Sequence, residues 1–432
     1  MKVVDTPTHL SGEAFARFFT VLKSRPPKIT LRTIFHTVGS NVGLPPPPPV
    51  NLPSIPEWTR AFAHDTFLWT ADMRHFFHEF GLHEQIRNYF FILCRKKWFR
   101  CACLPMGLTW APFVAQAFAW WLAVGDIVFS WTELPRVFVH MGVHFVIWYD
   151  NLLLGGASAD VLAAVEKFNS RRLQVHGVLK EESTSFDGSW ISFVGLDLCA
   201  AHSGQTMAWK LATKTIEKIK RHTLALSGST KYHGKRWESL RGLLVWCHWA
   251  QQLHFFRMVH YFKCSELPEA DRTAIRDLLT KFETNPPQRH TLPSRTEMIF
   301  SDASTRRWAI VPLTGIAISN VFGRKFTCND IFFLEAIAVK QTALHVSPRT
   351  DLVVPCDNMA IVHSVNRGIT ACPRTARILA EAADIIRGKD CTLRCIYICT
   401  EENPADEPSR NKPVILEKLF KAAIKIRTLL QQ

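Results

Sequence analysis

The chain has 432 residues, 47% of them hydrophobic and 21% charged. That balance supports buried cores and excludes wholesale disorder, and the length leaves room for two to four domains at roughly 100–200 residues each. Lys+Arg 52 against Asp+Glu 37 gives a formal charge of +15, which favours a polyanionic partner: nucleic acid first, with membranes and acidic proteins as the other options.

The opening, MKVVDTPTHLSGEAF, lacks the basic run and apolar stretch of a secretory leader. The 12 cysteines are scattered, so a reduced intracellular setting is expected. The first seventy residues read as irregular. They hold Arg25-Pro26-Pro27-Lys28 and the prolines at 45–49, a run that suits an extended linker or exposed loop, or a docking site. Residues 68–70 read as a strand leading into Asp72. The apolar stretch 113–131 is interrupted by Gln116 and Asp126, so a buried helix is expected rather than a membrane span. Residues 144–148 and 152–154 read as a hairpin around Tyr149-Asp150-Asn151. An amphipathic helix is expected over 158–176, with Val161, Leu162, Val165, Phe168 and Leu173 on its apolar face and Gly177 as its stop. Strands follow over 190–199 and 206–211.

Residues 214–282 read as basic helices, ended by Asn285-Pro286-Pro287. Strands are then expected over 298–302, 309–313 and 316–322, and a helix over 331–345. A strand at 352–355, helices at 359–366 and 375–387 and a strand at 393–399 complete the pattern. Cys391, Cys395 and Cys399 recur at even spacing. Core packing explains them better than zinc, because nothing completes a ligand set.

Two groups of acids carry the chemistry. Asp72 ends a strand, and Asp150 sits at a turn 78 residues later. Each alone suits a turn or cap; together, two such aspartates can hold paired Mg²⁺ ions for phosphoryl transfer. Farther on come Asp302 in Phe-Ser-Asp, Glu335 in Phe-Leu-Glu, Asp357 in Pro-Cys-Asp-Asn and Asp406 in Asn-Pro-Ala-Asp. Four convergent acids repel unless cations neutralise them.

Four motifs surround the first pair: Asp72 followed by aromatics, Leu-Pro-Met-Gly-Leu with Ala-Pro at 104–112, Trp-Tyr-Asp-Asn at 148–151, and Phe-Val-Gly-Leu at 193–196. In this order they resemble a reverse transcriptase palm. The resemblance implies that Asp72 and Asp150 are metal-binding and catalytic. Phe77 falls at the steric gate against a ribose 2′-hydroxyl, or is a core aromatic. It further implies substrate-contacting roles for Met106, Gly107, Tyr149 and Asn151, and a primer grip at Phe193, Val194, Gly195 and Leu196. Asn151 stands where the family usually has a second Asp. Lys180 is the nearest match to the family's lysine after the palm helix but is offset. Lys28 and Arg32 suit nucleotide phosphates or simple surface charge.

The later four acids resemble an RNase H domain in their order, without the catalytic-loop histidine of some relatives. They would be catalytic and metal-binding, with two Mg²⁺ per site, or Mn²⁺. The implied fold is α+β and multidomain: a polymerase right hand followed by an RNase H-like α/β domain. Its segments would be partial fingers (1–70), palm (71–212), a basic helical thumb or connection (213–290), RNase H (295–412) and a terminal helix (413–432). The layout resembles that of retroelement reverse transcriptases; Leu-Pro-Met-Gly-Leu and the Asn-Pro-Ala-Asp-Glu-Pro-Ser-Arg ending look most similar to DIRS-like and VIPER-like tyrosine-recombinase retrotransposons, with LTR-retrotransposon polymerases next. The implied function is RNA-directed DNA synthesis with RNase H cleavage. The expected partners are an RNA template, a DNA primer, RNA–DNA hybrids and dNTPs, with no membrane. A non-catalytic nucleic-acid-binding remnant, or an active RNase H beside an impaired polymerase, is the alternative that Asn151 leaves open.

Overall fold

A computed structural model describes residues 2–4, 17–25, 28–36, 41, 45–74, 76–78, 80–87, 91–94, 97–104, 107–125, 134–228, 231–251, 253, 256, 258, 261, 264–289 and 295–431. The chain divides into two compact units, one of residues 1–213 with 287–290, the other of 214–286 with 291–432.

In the first unit, the opening seventy residues depart from the irregular expectation. They contain strands β1 (Lys2–Val4), β2 (Arg17–Arg25) and β3 (Lys28–His36) and helix α1 (Ile55–Ala61). β2 and β3 form an antiparallel hairpin that closes with Arg25 opposite Lys28. Their Phe, Val, Ile and Thr content favours pairing, a signal that the neighbouring prolines hid. The prolines at 45–49 do lie outside regular structure. Ser54 caps α1 in a reciprocal box with Glu57.

The elements that follow are β4 (Phe67–Met73), α2 (Glu84–Arg87), β5 (Phe91–Cys94), β6 (Lys97–Arg100), α3 (Ala111–Val124), β7 (Phe138–His140), β8 (Val143–Trp148), β9 (Asn151–Gly156), α4 (Ser158–Gln174) and β10 (Leu179–Ser185). β1, β6 and β5 form a small sheet; the main sheet runs β10-β4-β9-β8-β7, every neighbour antiparallel. Phe67, Trp69, Ala71 and Met73 of β4 share one core with residues of α3 and α4. Strand alternation therefore sends Asp72 to the opposite face. On α4, Val161, Val165 and Phe168 are buried as expected, whereas Leu162 and Leu173 are exposed; the apolar face is narrower than the sequence spacing suggests. The sequence reading missed β10, because its Lys-Glu-Glu-Ser-Thr run has no apolar alternation. It is an edge strand held by backbone pairing to β4.

The expected single strand over 190–199 is instead a hairpin of β11 (Trp190–Phe193) and β12 (Leu196–Cys199), extended by β13 (Ala208–Leu211) and β14 (Gln288–Arg289). Val194 at φ 40° and Gly195 at φ 88° make its turn. Two consecutive positive φ values are the signature of a two-residue hairpin loop, and Gly195 accepts that conformation without a Cβ clash.

The second unit begins with the basic helices α5 (Thr213–Ser227), α6 (Gly234–Ala250) and α7 (Arg272–Thr284). Then come β15 (Arg295–Ala303), β16 (Arg307–Pro312), β17 (Ile318–Val321), α8 (Ile331–His345), β18 (Thr350–Cys356), α9 (Met359–Arg367), α10 (Pro373–Gly388), β19 (Thr392–Tyr397), α11 (Asp406–Ser409) and α12 (Leu416–Gln431). The sheet order is β17-β16-β15-β18-β19. The first three strands are antiparallel, and β15, β18 and β19 are parallel. This is an RNase H-like α/β sheet, and the chain as a whole is α+β and multidomain. Ile299, Ile310, Leu352 and Val354 pack on one face with residues of α8, α9 and α10. Met298, Phe300, Val311 and Val353 pack on the other with Leu419, Ala422, Ala423 and Ile426 of α12. Of the even-spaced cysteines only Cys395 lies on β19, buried in the first of these cores. No described helix is long and apolar enough to cross a membrane.

Candidate active sites

The first acidic pair is assembled by backbone pairing. Register along β4 and β9 sets Asp72 opposite Asn151. The Met73 N–H donates to the Asp150 carbonyl at 2.8 Å, which ties the β8–β9 turn to the end of β4. Tyr149 occupies that turn at φ 57°. Its N–H donates to Gln116 Oε1 at 2.9 Å, and Gln116 Nε2 donates to the Ile147 carbonyl at 2.9 Å. The buried amide of α3 thus clamps both sides of the turn that carries Asp150. Burial holds the Asp150 carboxyl above the usual carboxylate range, and the charge of Asp72 adds to the effect. Asn151 Nδ2 donates to Asp150 Oδ1 at 2.9 Å.

Lys180, which the sequence left offset, forms an ion pair with Asp72 Oδ2. The β10–β4 register explains this: Leu179 pairs with Met73 and Glu181 with Asp72, so Lys180 is the extra residue of a bulge. A bulge re-aims a side chain without breaking the strand, and residue counting does not reveal it. The pairing with Asp72 raises the lysine above its ordinary value.

The other expected contacts divide. Phe77 is half-buried with its ring centroid 6.5 Å from that of Tyr149, so it adjoins the Asp150 turn while packing in the core. Gly107 is exposed at φ 108°, and its carbonyl accepts from Asn41 Nδ2 at 3.1 Å. Met106 lies outside the described residues, as do the side chains of Lys28 and Arg32. Phe193 and Leu196 are buried, the Phe193 ring standing edge-on to Trp58 at 5.7 Å. They serve the core; Val194 and Gly195 between them are half-buried, and the Gly195 carbonyl accepts the Ala212 N–H at 3.1 Å.

The second site is a cleft of about 670 Å³ in the second unit, lined by Asp302, Glu335, Asp357 and Asp406 together. Asp302 comes from β15, Glu335 from α8, Asp357 from just beyond β18, and Asp406 from the first position of α11. Burial pushes the Asp302 carboxyl up to about 7, and the charges of Asp357 and Asp406 add to it. Glu335 is raised well above its ordinary value by burial and then by Asp302 and Asp357. Its Oε1 accepts the Ala303 N–H at 3.2 Å, which fixes it against the end of β15. Thr400 Oγ1 donates to Asp357 Oδ2 at 2.7 Å. Among the cleft residues Arg410 is the one cation; it donates to Asp406 Oδ1 through Nε at 2.9 Å. Carboxylate crowding with so little countercharge is a donor set of hard oxygens that suits Mg²⁺ or Mn²⁺. The first site offers a smaller set of the same hard-oxygen kind, the carboxylates of Asp72 and Asp150, with the Lys180 ammonium on one and the Asn151 amide on the other. Sequence reading gave no role to Gln116, seen only as a polar break in an apolar stretch, left Lys180 offset, and missed Thr400.

No family model matches the chain, and no curated protein does. Among solved structures, it is similar to a foamy viral protease-reverse transcriptase. The complex with RNA/DNA hybrid gives a TM-score of 0.49 at 13% identity over 88% of this chain and 50% of that one. The complex with dsDNA gives 0.48 at 12% identity over 88% and 77%, and the dRH form with ds DNA gives 0.48 at 13% identity over 88% and 65%. The chain therefore spans half to about three quarters of these proteins.

Proposed function

We propose that the protein is an RNA-directed DNA polymerase with RNase H activity, of retrotransposon type, working inside the cell. The observation that carries the reading is the convergence of four acids from four separate elements on one cleft, with Asp302 pushed to about 7. A protein does not keep such repulsion in a structural core; it fits a site where divalent cations meet a phosphodiester. In this reading residues 1–70 are partial fingers, 71–212 palm, 213–290 thumb or connection, 295–412 RNase H and 413–432 a terminal helix.

Asp302, Glu335, Asp357 and Asp406 would hold the cations of the nuclease, and Asp72 and Asp150 those of the polymerase. Bound there, Mg²⁺ or Mn²⁺ would activate the attacking water or primer hydroxyl and offset charge on the leaving oxygen. The chain's own groups orient the rest. Thr400 holds the Asp357 carboxylate, Gln116 holds the turn of Asp150, and Lys180 brings a positive charge to where triphosphate oxygens would lie. Phe77, Met106, Gly107 and Tyr149 would border the incoming dNTP, and the Val194–Gly195 turn the primer. The exposed lysines and arginines of α5 and α6 would follow the template–primer backbone, with salt-sensitive affinity.

The test uses an RNA–DNA hybrid labelled on the RNA strand, and a primed RNA template. Asp357→Asn should abolish RNA cleavage in Mg²⁺ and leave primer extension; Asp150→Asn should do the reverse. Cleavage that survives Asp357→Asn in folded protein sinks the nuclease assignment. A second reading, an active nuclease beside an impaired polymerase, is favoured by Asn151 and by the lysine already engaging Asp72. It predicts cleavage without extension, and recovery of extension in Asn151→Asp.

A further inference from the structure

Helix α12 covers the sheet with Leu419, Ala422, Ala423 and Ile426 and leaves another apolar row in solvent. Leu416, Phe420 and Ile424 follow one another at i, i+4 spacing and are 54%, 58% and 67% exposed. At one end of the row, Gly315 lies so close to Leu416 that a Cβ there would come within 2.8 Å of its side chain. Ile316 beside it is 71% exposed and prolongs the row. None of these residues lines the carboxylate cleft. Scattered apolar side chains are ordinary on a surface, but bulky ones aligned on one helical row mark an interaction face.

The charges around the row select what covers it. α12 carries Lys418, Lys421, Lys425 and Arg427 against Glu417, a net of +3, although Lys421 pairs with Glu417 and Lys425 with Glu402 of a preceding turn. Arg427 falls seven residues after Phe420, on the same side of the helix, and is exposed with no ion pair among the described residues. A second copy of the chain would set one cationic helix against another. A nucleic acid duplex would meet the cations but leave the apolar row wet.

We propose that this row is the docking surface for an acidic amphipathic helix of a protein partner. Its apolar anchors would cover Leu416, Phe420 and Ile424, and a carboxylate would meet Arg427. The surface is independent of either active site.

The probe is a fluorescent synthetic helix with leucines at i, i+4 and i+7 and glutamates elsewhere. A matched helix has lysines in place of the glutamates. Anisotropy against the full chain should show binding of the acidic helix alone. Phe420→Glu and Ile424→Glu should each weaken it at least tenfold with melting unchanged. Arg427→Glu should weaken it and Arg427→Lys restore it. Equal binding of both helices, or indifference to the three positions, overturns the proposal. So does self-association of the parent in sedimentation equilibrium that Phe420→Glu removes, which would make a second copy the occupant. Partition onto phosphatidylserine vesicles that Phe420→Glu removes would overturn it in favour of a membrane surface.

Discussion

Replacing Asp302 with asparagine isolates the electrostatic cost of gathering the second site's acids without cations. Asp302 is 5% exposed, and its carboxyl is raised from 3.8 to about 7 by burial and by Asp357. Between those values the folded protein holds a proton that the unfolded chain has released. Stability of the metal-free protein therefore falls as pH rises from about 4 to about 7, and stays lower above that. The gap corresponds to roughly 4 kcal/mol at about 1.36 kcal/mol per tenfold change in acidity. This is an upper bound, because Glu335 redistributes its own proton when its neighbour is neutralised. Asparagine is neutral throughout. In EDTA, Asp302→Asn should thus be more stable than the parent by about 2–4 kcal/mol at pH 8 and nearly equal to it near pH 4. Urea unfolding at the two pH values measures this. Excess Mg²⁺ should reverse the order, since only the parent keeps the full ligand set and gains the binding free energy. A variant less stable than the parent in EDTA at pH 8, or a parent indifferent to pH over this window, refutes the reasoning.

Gln116→Leu removes both hydrogen bonds that clamp the Asp150 turn; it should cost about 2–3 kcal/mol in denaturant unfolding and lower primer extension more than RNA cleavage. Gly155→Ala would place a Cβ 2.3 Å from Asp65 Oδ2 and 2.5 Å from the Phe62 ring; the forced shift should cost about 1–3 kcal/mol, read as a lower melting temperature. His144 bonds Asp65 at 3.0 Å, and that hydrogen bond raises the imidazole above its ordinary value. Its contribution to stability is complete below about 6.5 and is lost as pH rises through the raised value, so His144→Asn should flatten the stability profile in that window; an unchanged profile would discount the pair.

Much of the second unit was legible because its elements carry strong local signals. The helix expected over 331–345 coincides with α8, and β15 and β18 are apolar runs with Asp302 near the end of one and Asp357 just beyond the other. In the first unit, the 144–154 hairpin was readable from alternation around Tyr149-Asp150-Asn151. What escaped was set by pairing rather than by propensity. β10 has no apolar pattern and exists because β4 offers it an edge. The Val194–Gly195 turn was hidden inside a run that reads as one strand, since valine rarely takes positive φ. The early hairpin was masked by prolines. The acids themselves were recognisable by order and type, but Lys180 could be placed beside Asp72 only once the bulge was known, because a one-residue register change moves a side chain to the other face.

The Lys180–Asp72 contact gives the first site a resident counterion. A divalent ion arriving there would share Asp72 with an ammonium, whereas in the four-acid cleft it would share Asp406 with Arg410 and displace the protons that burial favours on Asp302 and Glu335. Cation binding at the four-acid cleft would then strengthen as pH rises, because protons leave it as the ions enter.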